Sequence, residues 1–411
     1  MRPIPTSSSC STLVDVAEGG DSKLLQTVPP TSLDCVARVS SSKHCSSLEQ
    51  KEQFETNLYL PVFEDDYYDD EDDESDSEFG TPWIQQPISS AASPSPNASR
   101  QTLKLPSTTD EVPVDKYLRS IPSLVERAEE LQAQPAVVLS EETASDLKVL
   151  NIRQGEIGHV TAKQADIIVS DKATTCHIIA VRSSSTDDAG SEPLVSLCHV
   201  DKAQYEGCLR DMIEAHKEHH GELSLDAIDM DLHLVGGYSD PDGSSLAITE
   251  HLIQLFGQIS VEEKDDVNMT LKTCAVSCLN DNGFGAPIGR GLAVDIASGN
   301  VFLAAVDESL AGPAPNLRAA RLWSAAHRTK LAVAHNQFCN KIIVTPFEFS
   351  TFKTLKTLLC LPDDLMLQCT STSPDVEDDE FCNRVRSTLR FIRDHTPEDV
   401  FGPKRNQPVY Y

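Results

Sequence analysis

The sequence predicts an α+β or layered α/β fold, preceded by a disordered acidic arm. Three observations predict this class. Short apolar runs typical of strands recur along most of the chain, and stretches with apolar residues at helical spacing lie between them. Several of the predicted strands follow one another directly, which favours α+β over a regular strand–helix alternation. The beginning of the chain shows neither pattern.

The predicted arm covers residues 1–102. Its first 100 residues contain 18 acidic and 6 basic side chains, and 11 of the acids fall between Glu64 and Glu78. A segment this polar and this charged cannot bury enough apolar surface to offset the entropy lost on ordering. We therefore expect a disordered interaction tail, followed by a single folded domain over 103–400 and a short C-terminal tail over 401–411.

The elements of this domain follow from periodicity and from turn residues. A helix is predicted within 115–132, starting near Ser120 because Pro122 fits a first helical turn better than a helix interior. The strand at 231–235 is ended by Gly236 and Gly237. Further strands are predicted at 165–169, 177–181, 194–200, 271–279, 291–296, 300–306 and 341–344. Further helices are predicted at 204–220, 245–256, 317–326 and 379–395.

Composition excludes several classes of protein. The 411 residues carry a net charge of −30, with a pI near 4.6, and no cluster of cations stands out. Nucleic acid is therefore not an expected partner, and an anionic membrane surface is disfavoured for the same reason. No apolar run approaches the roughly 18–20 residues of a membrane span, and serines rather than an apolar signal core follow Met1. We expect a cytoplasmic protein, with the nucleus as a second compartment.

Twelve cysteines are spread along the chain without a CxxC pair, so most are expected to be reduced core residues. Cys176 differs because it follows two threonines at a turn that enters the apolar strand at 177–181. Backbone N–H groups at such a turn can surround a thiolate and stabilise an oxyanion. The alternative is a buried structural cysteine.

A thiol nucleophile also needs a base and a group that orients the base. His177 adjoins Cys176, but successive side chains of a strand point to opposite faces, so it is poorly placed. His199 lies on the next predicted strand, and an antiparallel hairpin would bring it beside Cys176. Ser170 offers an oxygen to hold the imidazole. The alternative for His199 is an ordinary sheet histidine.

Ser170, Cys176 and His177 lie in the first of several blocks that resemble the protein N-terminal asparagine amidohydrolase family. The blocks are SDKATTCHIIAVR (170–182), LHLVGGYSD (232–240), NLRAAR (316–321), STSPDVE (371–377) and VRSTLRFIRDH (385–395). The resemblance extends, with gaps, from about Leu103 to His395. The order of serine, cysteine and histidine is also similar to that of bacterial chemotaxis glutamine deamidases and deamidating toxins, whose fold is a β-sandwich with flanking helices.

The resemblance implies hydrolysis of the side-chain amide of an N-terminal asparagine, giving aspartate and ammonia. Proteins or peptides with N-terminal Asn are then the partners, and the product enters the arginylation and ubiquitin N-degron pathway. In the implied mechanism the Cys176 thiolate attacks the amide, His199 moves the protons and Ser170 orients His199. Backbone amides around Thr175 are the expected oxyanion donors. No metal or organic cofactor is required.

Selection of a free N-terminus calls for an anion that faces the substrate α-ammonium. Glu377, in STSPDVE, is the first candidate and Asp240, after HLVGGYS, is the second. The alternative for each is a carboxylate at the start of a helix, or a turn residue. The loop between Cys176 and His199 is longer than in the family, and a one-residue slip would turn His199 away.

Two other hypotheses about the function of the chain remain. The chain could be a glutamine side-chain deamidase, or a catalytically silent scaffold that binds protein N-termini. A weaker signal is the helical spacing of His216, His219 and His220, which could hold Zn²⁺. Because charged residues surround them, a solvated helix face is the preferred interpretation.

Overall fold

Two β-sheets pack against each other in the part of the chain that the structure describes. The structure is a computed structural model, and it describes residues 113–184, 192–201, 206–221, 227–263, 265–324 and 330–411. The predicted disordered arm over 1–102 lies outside these residues and stays a prediction.

The strands come from all parts of the described chain. In chain order they are β1 (Val137–Leu139), β2 (Val149–Asn151), β3 (Glu156–Thr161), β4 (Ile167–Ser170), β5 (His177–Ser184), β6 (Leu194–Val200), β7 (Ile228–Gly236), β8 (Val267–Val276), β9 (Leu292–Asp295), β10 (Val301–Val306), β11 (Ala332–Val333), β12 (His335–Asn336), β13 (Lys341–Val344) and β14 (Val409–Tyr410). One sheet has the order β11-β3-β6-β5-β7-β8 and the other has the order β1-β10-β9-β4-β2. A small third sheet, β12-β13-β14, takes its last strand from the stretch predicted as a C-terminal tail.

Helices flank the sheets. They are α1 (Val114–Arg119), α2 (Pro122–Gln132), α3 (Glu206–His220), α4 (Ser244–Glu262), α5 (Pro315–Ala320), α6 (Leu355–Leu359), α7 (Asp363–Thr370), α8 (Phe381–Asp394) and α9 (Pro397–Phe401). The helix predicted near Ser120 is thus preceded by a second short one. The break falls at Ile121, which is extended because the residue before a proline avoids the helical region. No described helix combines the length and the apolar character that crossing a membrane requires.

The alternation of side chains along β4 shows which face of each sheet is internal. Ile168 belongs to the main core together with residues of β5 and β6, whereas Ile167 and Val169 pack in a separate cluster on the other face of their sheet. Ser170 therefore shares the internal face with Ile168. The structure confirms the α+β class, with more than one sheet and with helices around them.

Candidate active site

Cys176 lies where the chain crosses from one sheet to the other. The segment 171–176 leaves β4 of the five-stranded sheet and enters β5 of the six-stranded sheet. Its start is held by the Ala173 N–H, which donates to the Arg290 carbonyl over 2.8 Å. The Cys176 side chain is half-buried, and its carbonyl accepts a 2.8 Å hydrogen bond from the Gly237 N–H. The thiol thus sits on a backbone that is held from two directions.

The register of β5 and β6 indicates where His199 lies relative to Cys176. His199 is directly opposite Ile178 in this antiparallel pair, so the long loop has caused no slip that would turn it to the other face of the sheet. Cys176 comes two residues before Ile178, just outside β5. Residues two apart on a strand share a face, so extending this alternation by one residue places Cys176 on the His199 face, at about 7–8 Å between Cα atoms.

Ser170 holds the imidazole of His199. Its Oγ lies 2.9 Å from His199 Nδ1, and both side chains are buried. His199 Nε2 is buried and has no hydrogen-bond partner among the residues that the structure describes. In the tautomer whose Nδ1–H donates to Ser170, Nε2 carries a lone pair that can accept a proton.

Burial keeps this imidazole neutral. It lowers the pKa of His199 to about 4, although the nearby carboxylates of Asp201 and Glu156 act in the opposite direction. At neutral pH the ring is therefore unprotonated. A neutral, oriented imidazole beside a thiol can act as a general base.

His177 points to the opposite side of the six-stranded sheet. Its Nε2 lies 2.7 Å from the Oγ1 of Thr249 on α4. Burial, together with His199, lowers the pKa of His177 to about 3. The His177 imidazole therefore helps to hold α4 against the six-stranded sheet.

Two glycines allow the chain to pass close to Cys176. A Cβ on Gly236 would lie 2.4 Å from the Cys176 carbonyl oxygen, and a Cβ on Gly237 would lie 2.8 Å from His177 Cε1. Both residues also have positive φ angles, +126° and +65°. A side chain at Gly236 would displace the segment that carries the thiol, and one at Gly237 would displace the His177 ring. These contacts give a physical reason for the HLVGG block.

A seam of hydroxyl groups joins the Cys176 segment to the stretch 371–377. The Oγ1 atoms of Thr175 and Thr372 lie 2.7 Å apart, and Ser373 Oγ donates to Thr174 Oγ1 over 2.8 Å. A third hydroxyl, that of Ser245, donates to the Thr175 carbonyl over 3.2 Å. Thr175 therefore connects three parts of the chain through its side chain and its carbonyl.

Glu377 lies at the end of this stretch. Ser371 Oγ donates to its Oε1 over 2.5 Å, and the guanidinium of Arg290 donates to the carbonyl of the preceding residue, Val376. Burial raises the pKa of Glu377, while Ser371 and Arg290 act to lower it. The carboxylate is thus held near the Cys176 segment by residues on either side.

Asp240 has the role of a helix-start carboxylate. Its two oxygens accept hydrogen bonds of 2.8 Å each from the N–H groups of Ser244 and Ser245 at the beginning of α4. These bonds satisfy two of the N–H groups that a helix start leaves unpaired. The arrangement corresponds to the alternative stated for this residue from the sequence.

Tyr238 lies close enough to several acids to experience their charge, and sequence reasoning did not find this cluster, called the acidic rim below. The Tyr238 pKa is raised first by burial and then by the charge of four carboxylates. They are Asp240, Asp375, Asp281 and Glu377. Three separate parts of the chain contribute these acids, so no single motif could show the cluster, although Tyr238 itself belongs to the LHLVGGYSD block. Carboxylates clustered close to the hydrogen bond between Gly237 and Cys176 attract a cation.

Two histidines of α3, His216 and His220, belong to a hydrogen-bonded network of side chains that has the buried His216 at its centre. His216 lies between Ser183 Oγ, 2.6 Å from its Nδ1, and Ser196 Oγ, 2.8 Å from its Nε2. Ser196 also lies 2.5 Å from Nδ1 of His159, and Ser183 lies 2.8 Å from Nε2 of His220. The prediction of a solvated face is therefore wrong for His216, which is fully buried because serines of β5 and β6 supply its polar partners. No group of three metal-ligating side chains able to hold an ion is found within the described ranges.

The described site combines a half-buried thiol, a neutral imidazole on the same face and a hydroxyl that orients the imidazole. This combination is the one that thiol-dependent hydrolases use to activate a nucleophile. The chain belongs to the family described as protein N-terminal asparagine amidohydrolase, whose sequence profile matches residues 139–411.

Curated relatives support this membership. A protein N-terminal asparagine amidohydrolase from Mus musculus is 28% identical over 316 residues, which cover 75% of this chain and 93% of the relative. The protein of the same name from Homo sapiens is 28% identical, covering 68% of this chain and 84% of its own. The one from Arabidopsis thaliana is 21% identical, covering 66% and 80%.

Proposed function

We propose that this protein hydrolyses the side-chain amide of an N-terminal asparagine, releasing ammonia and leaving an N-terminal aspartate. The observation that carries the proposal is the 2.9 Å contact between Ser170 and His199, on the face of the sheet that also holds Cys176. Family membership supports the choice of substrate, because the relatives are named for this amide.

The first half of the reaction forms a thioester. The Cys176 thiol transfers its proton to His199 Nε2, and the sulfur attacks the carboxamide carbon of the substrate. The imidazolium then returns this proton to the departing nitrogen, the C–N bond breaks and ammonia leaves. Because the pKa of His199 is near 4, the resting pair in this proposal is a thiol beside a neutral imidazole.

The second half of the reaction regenerates the enzyme. His199 takes a proton from water, which attacks the thioester carbon, and the C–S bond breaks to release the aspartate side chain. The departing sulfur recovers a proton from the imidazolium. Ser170 acts as a positioning residue throughout, and the backbone amides around Thr175 remain our predicted oxyanion donors.

Recognition of the free N-terminus rests on the carboxylates around Tyr238. Glu377 is the candidate for the α-ammonium, since its buried position makes an incoming cation a favourable partner. Asp240 contributes charge to the same rim, but both of its oxygens are engaged by the start of α4. We therefore assign the direct contact to Glu377.

Several broader expectations belong to the same proposal. The substrates are proteins or peptides with N-terminal Asn, the enzyme acts in the cytoplasm, and its product feeds arginylation and ubiquitin-dependent degradation. We also propose that the fold is shared with the bacterial chemotaxis glutamine deamidases. The support is that Ser170 and His199 lie on strands of different sheets and that Cys176 lies in the segment between β4 and β5.

The test is mass spectrometry of a peptide that begins with Asn, beside its acetylated twin and a peptide that begins with Gln. The wild-type protein should add 1 Da to the first peptide only, and Cys176→Ala and His199→Ala should abolish the reaction. Cys339→Ala is the matched control, because this cysteine is exposed in the turn between β12 and β13. Conversion of internal or N-terminal Gln would instead indicate a glutamine deamidase. Tight binding without turnover would indicate a silent N-terminus-binding protein.

A further inference from the structure

An aromatic side chain stands in solvent on a loop that rises beside the candidate active site. The loop covers residues 281–289, between the short 3-10 turn Ser277–Leu279 and β9. Phe284 at its tip is 93% exposed. Covering such a side chain removes apolar surface from water, so a partner that covers it gains affinity.

Both ends of the loop are attached to the backbone around Cys176. Just before the loop, Asn280 Nδ2 donates to the Gly237 carbonyl over 2.7 Å, and at its first residue Asp281 Oδ2 accepts from the Ser239 N–H over 3.0 Å. After the loop, the Arg290 carbonyl accepts the hydrogen bond from Ala173 described above. A movement of this loop would therefore be transmitted to the segments on both sides of the thiol.

The tip of the loop is itself held in place. Asp281 Oδ1 accepts from the Gly283 N–H over 2.6 Å, and Asn282 Oδ1 accepts from the Phe284 N–H over 2.8 Å. The Asn282 N–H also donates to the Ala286 carbonyl over 3.0 Å. The exposed ring is thus presented from an ordered turn, which lowers the entropy lost when a ligand covers it.

The position of the acidic rim indicates what would cover the ring. The substrate's amide has to reach Cys176 while its α-ammonium faces the carboxylates around Tyr238. Asp281 is one of these carboxylates and is also the first residue of the loop. The substrate's first residue is therefore drawn to the base of the loop, and its second residue follows at about 3.8 Å between Cα atoms, within the surroundings of the loop.

We propose that Phe284 binds the side chain of the substrate's second residue and makes the enzyme favour apolar residues there. This inference rests on the proposed function, because it concerns the selectivity of the same site. An apolar second side chain covers the ring, whereas glycine has no atoms to do so.

The test is steady-state ammonia release from two peptides that differ only at the second residue, Asn-Leu and Asn-Gly. Phe284→Ala should raise KM for the Asn-Leu peptide about tenfold, which corresponds to about 1.4 kcal/mol, and should leave kcat unchanged. The KM of the Asn-Gly peptide should stay the same, and Phe284→Leu should restore most of the preference.

Phe338→Ala is a closely matched control. Phe338 is also fully exposed, and its N–H also donates to the Oδ1 of an asparagine two residues earlier, Asn336, over 3.0 Å. It lies between β12 and β13, away from the segments that hold Cys176. This variant should behave as the wild type with both peptides.

The inference is overturned if Phe284→Ala affects both peptides equally, affects neither, or is matched by Phe338→Ala. A wild-type protein that prefers neither peptide overturns it as well, while leaving the proposed function intact. If the wild type releases ammonia from no Asn peptide, the proposed function fails, and the inference fails with it.

Discussion

Ser170 and His199 belong to different β-sheets, yet their side chains meet at 2.9 Å. Ser170 ends β4 of the five-stranded sheet, and His199 lies near the end of β6 in the six-stranded sheet. The orientation of the proposed base therefore depends on how the sheets pack. A change in the packing of the two sheets would therefore turn the imidazole of His199 even if each strand kept its own conformation.

Ser170→Ala should lower kcat about 10- to 100-fold and leave KM for an Asn peptide unchanged, because a misdirected base slows proton transfer. The split between kcat and KM is measured by steady-state ammonia release. Ser196→Ala is the matched control, since Ser196 also lies between imidazoles, those of His159 and His216. It should lower the melting temperature but not kcat. Equal loss of kcat in the two variants would contradict a positioning role for Ser170.

Stability should fall as the pH falls from about 6.5 to 4. Among the described residues, burial lowers the pKa of six histidines below 6.5; these are His159, His177, His199, His216, His220 and His233. In this interval the unfolded chain binds protons that the folded chain does not, so acid favours unfolding by up to about 1.4 kcal/mol per pH unit for each histidine. Urea unfolding at pH 7, 6 and 5 measures the slope.

The contribution of one histidine can be isolated with His216→Gln. This variant should be less stable at pH 7, because the contacts with Ser183 and Ser196 are altered, but its stability should depend less on pH. His395→Gln, at an exposed position, is the control and should keep the wild-type slope. An unchanged slope in His216→Gln would argue against the low pKa of this residue in the folded state.

Glu377→Gln and Asp240→Asn should have different effects. Glu377→Gln should raise KM for Asn peptides about tenfold or more, since a neutral amide pairs poorly with an ammonium. Asp240→Asn should mainly reduce stability, by about 0.5–2 kcal/mol, because its oxygens hold the start of α4. Kinetics and thermal melting on both variants separate the two roles. A larger KM effect at Asp240 than at Glu377 would reverse the assignment.

Gly236→Ala should nearly abolish turnover. The new Cβ would lie 2.4 Å from the Cys176 carbonyl oxygen, and the segment that carries the thiol would have to move. Gly243→Ala is the control, because Gly243 also has a positive φ, +69°, but no atom lies within 4 Å of its Cβ position. This control should cost about 1 kcal/mol of stability and retain activity. Turnover and melting temperature are measured together.

The sequence could predict the strands that carry the candidate catalytic residues because they are long apolar runs with clear turn signals. β5 and β6 were expected at 177–181 and 194–200, and the structure has them at His177–Ser184 and Leu194–Val200. β1, β2 and β3 were missed. The first two have only three residues, and β3 contains a glycine and a histidine that interrupt its apolar pattern.

Other features could not be predicted because they depend on contacts between distant residues. The acids that act on Tyr238 come from separate parts of the chain. The sequence around Arg290 shows only a glycine on each side, and nothing in it predicts the contact of its guanidinium with the Val376 carbonyl. The spacing of His216 on α3 was recognised, but its burial depends on the serines of two strands. Periodicity describes a helix face, and only the tertiary structure shows what that face meets.

The hydroxyl seam has a consequence for the synthesis of the protein. Thr174 and Ser373 touch although they are 199 positions apart in the chain. During translation the ribosome therefore makes Cys176 and His199 long before it makes the segment with Glu377. Under the assignment of Glu377 proposed above, a nascent chain without that segment lacks the carboxylate for the substrate ammonium, so discrimination between substrates arises late, when the segment emerges and docks.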